Sequence, residues 1–168
     1  NMKKTFILAV AIFYASFTVL RAQVKTELKA QINVLLANYY GMKDALVATD
    51  GKATQQKAND FLLTLAKVDM GEMTKEQHDM YMPLANKLKS DAEPIAKTQD
   101  AGQQRTHFND LSNNLFAVLK AFKINENPVY QQYCPMKKAY WLSDNSAVKN
   151  PYYGKMMLTC GKVTETLN

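Results

Sequence analysis

The chain has 168 residues, 47% hydrophobic and 21% charged, enough for one domain with a real core and too apolar for a disordered segment. Its net charge of +6 owes much to its start: without Lys3, Lys4 and Arg21, and with no acid in the first 22 residues, it falls to +3. What remains has no arginine-rich face and no long basic run, which argues against a nucleic-acid partner.

Residues 1–22 read as a secretory leader, with a basic start, an apolar stretch from Thr5 to Leu20 and the small residue Ala22 before a cleavage point. The stretch is shorter than the roughly 20 apolar residues of a spanning helix, and no second one follows, so no membrane span is expected after leader removal. One domain is expected over 23–168, in a periplasmic or secreted, oxidising setting where two cysteines can be joined.

Val24, Leu28, Ile32, Leu35, Tyr39, Met42 and Leu46 recur at three- and four-residue steps and predict one helix face. Asp50-Gly51 breaks this segment. A weaker stripe follows through Ala58, Phe61, Leu62, Leu65 and Val68 and stops at Gly71. "TKEQ" at Thr74–Gln77 is a capping box for a third helix, whose stripe is Tyr81, Leu84, Leu88, Ala92 and Ile95, with Pro83 expected to kink it and Pro94 to bend or interrupt it. Phe108, Leu111, Leu115, Val118 or Leu119, and Phe122 mark a fourth, ending near Asn125–Pro128. The expected fold class is all-α, an up-and-down four-helix bundle.

After Asn127 the helical periodicity stops. Pro128, Pro135, Pro151, Trp141, both cysteines and Tyr130, Tyr133, Tyr140, Tyr152 and Tyr153 fall in this tail, which reads as an irregular Cys/Tyr/Trp-rich lobe able to carry short strands at 129–133 and 157–163. Its aromatic rings serve packing first, because large rings give a small irregular segment its buried area.

"YCPM", "AYWLS", "NPYYG" and "MLTCG", in that order, with "QRTHFNDLS" at Gln104–Ser112, resemble a domain of unknown function common in Bacteroidetes, which occurs alone or at the end of periplasmic adaptor subunits of copper and silver efflux pumps. The resemblance implies an exported helical domain that handles soft metal ions, with an efflux adaptor or another envelope protein as partner. It carries no catalytic mechanism. The residues agree: the chain has no nucleophile elbow, phosphate-binding glycine loop, haem "CxxCH" or "HExxH", so no enzyme is expected.

Cys134 and Cys160 are the sharpest feature. Joined, they would close a loop of about 27 residues and stabilise the chain by roughly 3 kcal/mol. Reduced, they stand near Met136, Met156 and Met157, and thiolate with thioether suits monovalent copper or silver. The pair is expected to lie close in space under either reading. If residues 156–160 form a strand, Met156 shares a face with Cys160; in a helical turn Met156 or Met157 can serve. His107, beside the core position Phe108, is a further candidate ligand. Met70–Met82 holds four methionines and His78, but on a helix Met73, His78 and Met80 do not share a face, and methionine fills cores without binding metal.

Overall fold

The computed structural model describes residues 27–71 and 73–168, so the leader expected at 1–22 lies outside the described residues. Four helices follow one another: α1 over 27–48, α2 Gly51–Leu65, α3 Lys75–Ala96 and α4 Ala101–Phe122. The predicted stripes form the core, with Ile32, Leu35, Tyr39, Met42, Leu46, Phe61, Leu88, Ile95, Phe108, Leu111 and Leu115 all buried. Hydroxyl and carboxylate caps start α2, α3 and α4. Thr74 and Gln77 make the expected capping box, while Asp50 and Asp100 accept from the amides of Ala53 and Gln103 at 2.9 and 2.8 Å. Helix α3 runs through both Pro83 and Pro94. Pro94 thus does not interrupt the helix, which ends two residues later at Ala96, and buried Ala92 and Ile95 pack its last turn.

The all-α expectation is incomplete. The tail forms a three-stranded antiparallel sheet, β1 Val129–Cys134, β2 Ala139–Ser143 and β3 Lys162–Leu167, in the order β2-β1-β3. Strand β1 lies where the first strand was expected, and β3 overlaps the second expected strand only at 162–163. Of the second expected strand, at 157–163, Met157 ends the 3-10 turn Gly154–Met157, 158–161 are turn and irregular chain, and β3 starts at Lys162. Alternation was hidden in β1 by a bulge between Gln131 and Gln132, which shifts its pairing with β3. In β2 it was hidden because Trp141, Leu142 and Ser143 are all buried where the strand lies on α4.

Helix α4 supplies the seam between bundle and sheet. Gln104 donates to the carbonyls of Gly51 and Thr98 at 2.8 and 2.7 Å, tying three helix ends together. Arg105 next to it donates to Pro151 O, Leu46 O and Thr49 Oγ1 at 2.7–2.9 Å, clamping the tail to the end of α1. Phe108 stacks on Tyr39 at 5.0 Å and meets Tyr152 at 6.2 Å. Asn109 accepts from the Tyr140 amide at 2.9 Å, and Ser112 shares a 2.6 Å hydrogen bond with Tyr39, whose hydroxyl accepts from the Leu142 amide. Buried Lys43 adds ion pairs to Asp44 and to Asp144 beyond β2.

Four tyrosines in this interior set its alkaline limit. Burial pushes the Tyr81 hydroxyl, which has no partner, up to about 12, and raises Tyr39, Tyr40 and Tyr152 as well. In the fold these groups keep their protons where the unfolded chain loses them, near pH 10. Their contribution is therefore complete below about pH 10; that of Tyr81 is lost as pH rises through about 12, and those of the other three at higher pH still. Urea midpoints measured along this range should hold level below pH 10 and fall above it; a level profile throughout would show that the rings ionise without penalty in the fold.

Candidate functional site

The site is built by a hairpin turn and the segment that precedes β3. Cys134 ends β1 opposite Ala139 of β2, and Pro135–Lys138 form the turn, closed by the Lys138 amide donating to Cys134 O at 2.8 Å. Proline lacks an amide hydrogen and Lys138 has φ 55°, so the chain reverses sharply and the next free amides fold back toward the cysteine. The Lys137 amide donates to Cys134 Sγ at 3.4 Å. Opposite it, Cys160 is held by Asn150, a buried side chain that donates to Cys160 O and accepts from the Tyr152 amide, both at 2.8 Å. Gly161, at φ 152°, allows the Trp141 ring to pack beneath: a Cβ there would stand 2.7 Å from the ring and 3.0 Å from Tyr133 O.

These two pieces bring the cysteines together as expected. Their sulfurs are 3.4 Å apart, and both are free thiols. Cys134 is fully buried and Cys160 half-buried. Burial works to raise the Cys134 thiol, but hydrogen bonds from the Lys137 amide, the Cys160 thiol, the Asn150 side chain and the Met136 amide outweigh it, and its pKa falls below the ordinary cysteine value. Cys160 moves the other way, first because its proton is held in the hydrogen bond to Cys134, then through burial and the neighbouring charge. One sulfur is thus favoured as thiolate while the other donates to it.

The other candidates divide. Met136 follows Pro135 in the turn, with its amide near both sulfurs and its side chain 65% exposed. Met156 is 80% exposed and Met157 half-buried, both in the 3-10 turn, so the strand geometry that selected Met156 is absent. The Cys160 amide instead donates to Met157 O at 3.1 Å. His107 is exposed on α4 and makes no hydrogen bond to the cysteines. Among the described residues no three His, Cys, Asp or Glu side chains gather as a metal site, so donors beyond the two thiols would have to be thioethers or come from outside. His78 and Met80 are exposed on α3, remote in sequence and element from the pair.

Asn150 and Arg105 were both inside motifs singled out by sequence, but only the fold shows their roles in positioning Cys160 and the tail. Over residues 35–127 the chain matches the family model described as "Protein of unknown function (DUF3347)". The chain belongs to this family. The DUF3347 match runs from within α1 through the end of α4, includes Gln104, Arg105, Phe108 and Ser112, and ends before β1. Cys134, Met136, Met156, Met157 and Cys160 all lie beyond it. No curated protein and no solved structure matches the chain. No helix among the described residues is long and apolar enough to cross a membrane.

Proposed function

We propose that this DUF3347 protein is a periplasmic soft-metal binding accessory, linked to copper or silver efflux or tolerance, that takes one monovalent ion between Cys134 and Cys160. The observation that carries the reading is the pair of free sulfurs 3.4 Å apart, one of them hydrogen-bonded toward its thiolate form. Two thiolates with adjoining thioethers match the softness of copper(I) or silver(I) and suit hard divalent ions poorly. Exposed Met136 and Met156 are free to turn toward the pair, with Met157 a third thioether in the same turn. The resemblance to domains that accompany copper and silver efflux adaptors supports the same assignment and suggests an envelope partner.

The closeness of the sulfurs also favours a second reading, in which the pair is oxidised to a staple of a metal-free module that docks on such a partner. A copper(I) competition titration on reduced protein separates the two. Cys134→Ser should lose more than the roughly 10–100-fold typical of an outer-shell change, and Met136→Leu or Met156→Leu should lose less. Equal affinity in wild type and Cys134→Ser would end the metal reading.

A further inference from the structure

The charge around the sulfurs points to what can reach them. From Val129 onward the lobe has five lysines and two acids. Neither acid stands at the cysteines: Asp144 follows Ser143, at the end of the β1–β2 pair opposite Cys134, where it shares buried Lys43 with Asp44, and Glu165 pairs with Lys120 at 2.7 Å. Lys137 and Lys138 sit in the turn after Cys134, Lys155 in the 3-10 turn and Lys162 directly opposite Tyr133 at the same end of the sheet. All four are exposed, and none makes a salt bridge among the described residues. On the bundle side Asp110 of α4 acts on Tyr152, a single acid against four cations. The thiols thus open onto an uncompensated positive rim.

We infer that Cys134 and Cys160 undergo reversible thiol–disulfide exchange with a small anionic disulfide, of the glutathione-disulfide class, which is drawn in by Lys137, Lys138, Lys155 and Lys162. Exposure assigns the order. Cys160, the more exposed sulfur, passes its proton to Cys134 across their 3.4 Å contact and attacks one sulfur of the ligand, forming a mixed disulfide and releasing one anionic thiolate, which takes up a proton from solvent. Cys134, buried but only 3.4 Å away, then attacks Cys160 Sγ, forming the protein disulfide and releasing the second thiol. Two electrons pass from the protein dithiol to the ligand disulfide, and two ligand thiols leave. Excess ligand thiol runs the sequence backward. Oxidation also removes both thiolates from the proposed metal site; that gating consequence rests on the metal reading, whereas the exchange does not.

The test uses the reduced full chain with glutathione disulfide and, as a cationic probe of the same chemistry, cystamine. Rapid quenching and mass mapping should show a transient adduct on Cys160 that converts to the Cys134–Cys160 disulfide. At low ionic strength glutathione disulfide should react faster than cystamine by roughly tenfold after correction for their intrinsic reactivities with a free thiol. The preference should shrink at about 1 M salt and reverse in Lys137→Glu/Lys138→Glu/Lys162→Glu. Because those changes are all on exposed side chains, a circular dichroism spectrum like that of wild type is expected alongside. Cystamine reacting as fast or faster at low salt would overturn the charge selection, and a first adduct on Cys134 would overturn the assigned order. If exchange proceeds as described while reduced protein binds no copper(I), the metal reading fails and the exchange stands.

Discussion

Gly51→Ala should lower the melting temperature by roughly 10 °C, at about 2–4 °C for each kcal/mol lost in a chain of this size. Gly51 opens α2, buried against the link between α3 and α4. A Cβ at this position would lie 1.7 Å from Gln99 O and 2.6 Å from Gln99 C. These are backbone atoms, so no side-chain rotation relieves the overlap. Either α2 or the link has to move, and overpacking of this kind costs about 1–3 kcal/mol. The same movement pulls Gly51 O away from Gln104, whose amide group also holds Thr98 O, and leaving such buried groups unsatisfied adds about 1–3 kcal/mol. Thermal unfolding by circular dichroism measures the sum. A melting temperature within about 2 °C of wild type would mean that the junction relaxes freely and is no hub.

Phe108→Ala should destabilise the protein by about 3–5 kcal/mol, the usual range for a fully buried phenylalanine. This ring is the packing link between bundle and lobe, lying on Tyr39 of α1 and meeting Tyr152 of the tail. Its removal leaves a cavity where α4, α1 and the lobe converge, and the hydrogen bonds nearby, from Ser112 to Tyr39 and from the Leu142 amide to Tyr39, cannot close it. Since Tyr152 also packs on Trp141 and the Tyr152 amide is held by Asn150, loosening should reach the cysteines. Urea unfolding gives the stability, and the rate of Cys134 alkylation gives the reach. Phe108→Leu, which keeps apolar volume, should recover much of both. A loss below about 1 kcal/mol in Phe108→Ala would show that the ring is not the link between the two parts.

The bundle was legible in the sequence because each helix has a private signal. Tyr39, Met42 and Leu46 fall on one face by spacing alone, and Thr74 with Gln77 marks a helix start through contacts three residues apart. Such features depend on neighbours within a turn or two, so no tertiary information is needed to read them. The proximity of the two sulfurs was also expected, but from the pairing chemistry open to two cysteines rather than from a fold that shows them together.

What only the tertiary structure decided lies in the lobe. Strand β2 exists because Ala139–Ser143 pairs with β1 and lies on α4, and its buried run carries no alternation from which a strand could be read. Strand β3 starts at Lys162 because Gly161 lets Trp141 pack under the chain, a contact between residues twenty apart. Arg105 reads as an ordinary charged residue on a helix until Pro151 and Leu46 are placed within reach of its guanidinium. The positive rim is equally a product of folding: the sequence by itself determined the numbers of lysines and acids, but only the strand pairing that sets Asp144 at the end of the sheet opposite Cys134, and the pairing of Glu165 with Lys120, leaves the cations beside the cysteines without an acid partner. Local periodicity is written along the chain, whereas pairing, clamping and charge balance depend on which distant residues the fold brings together.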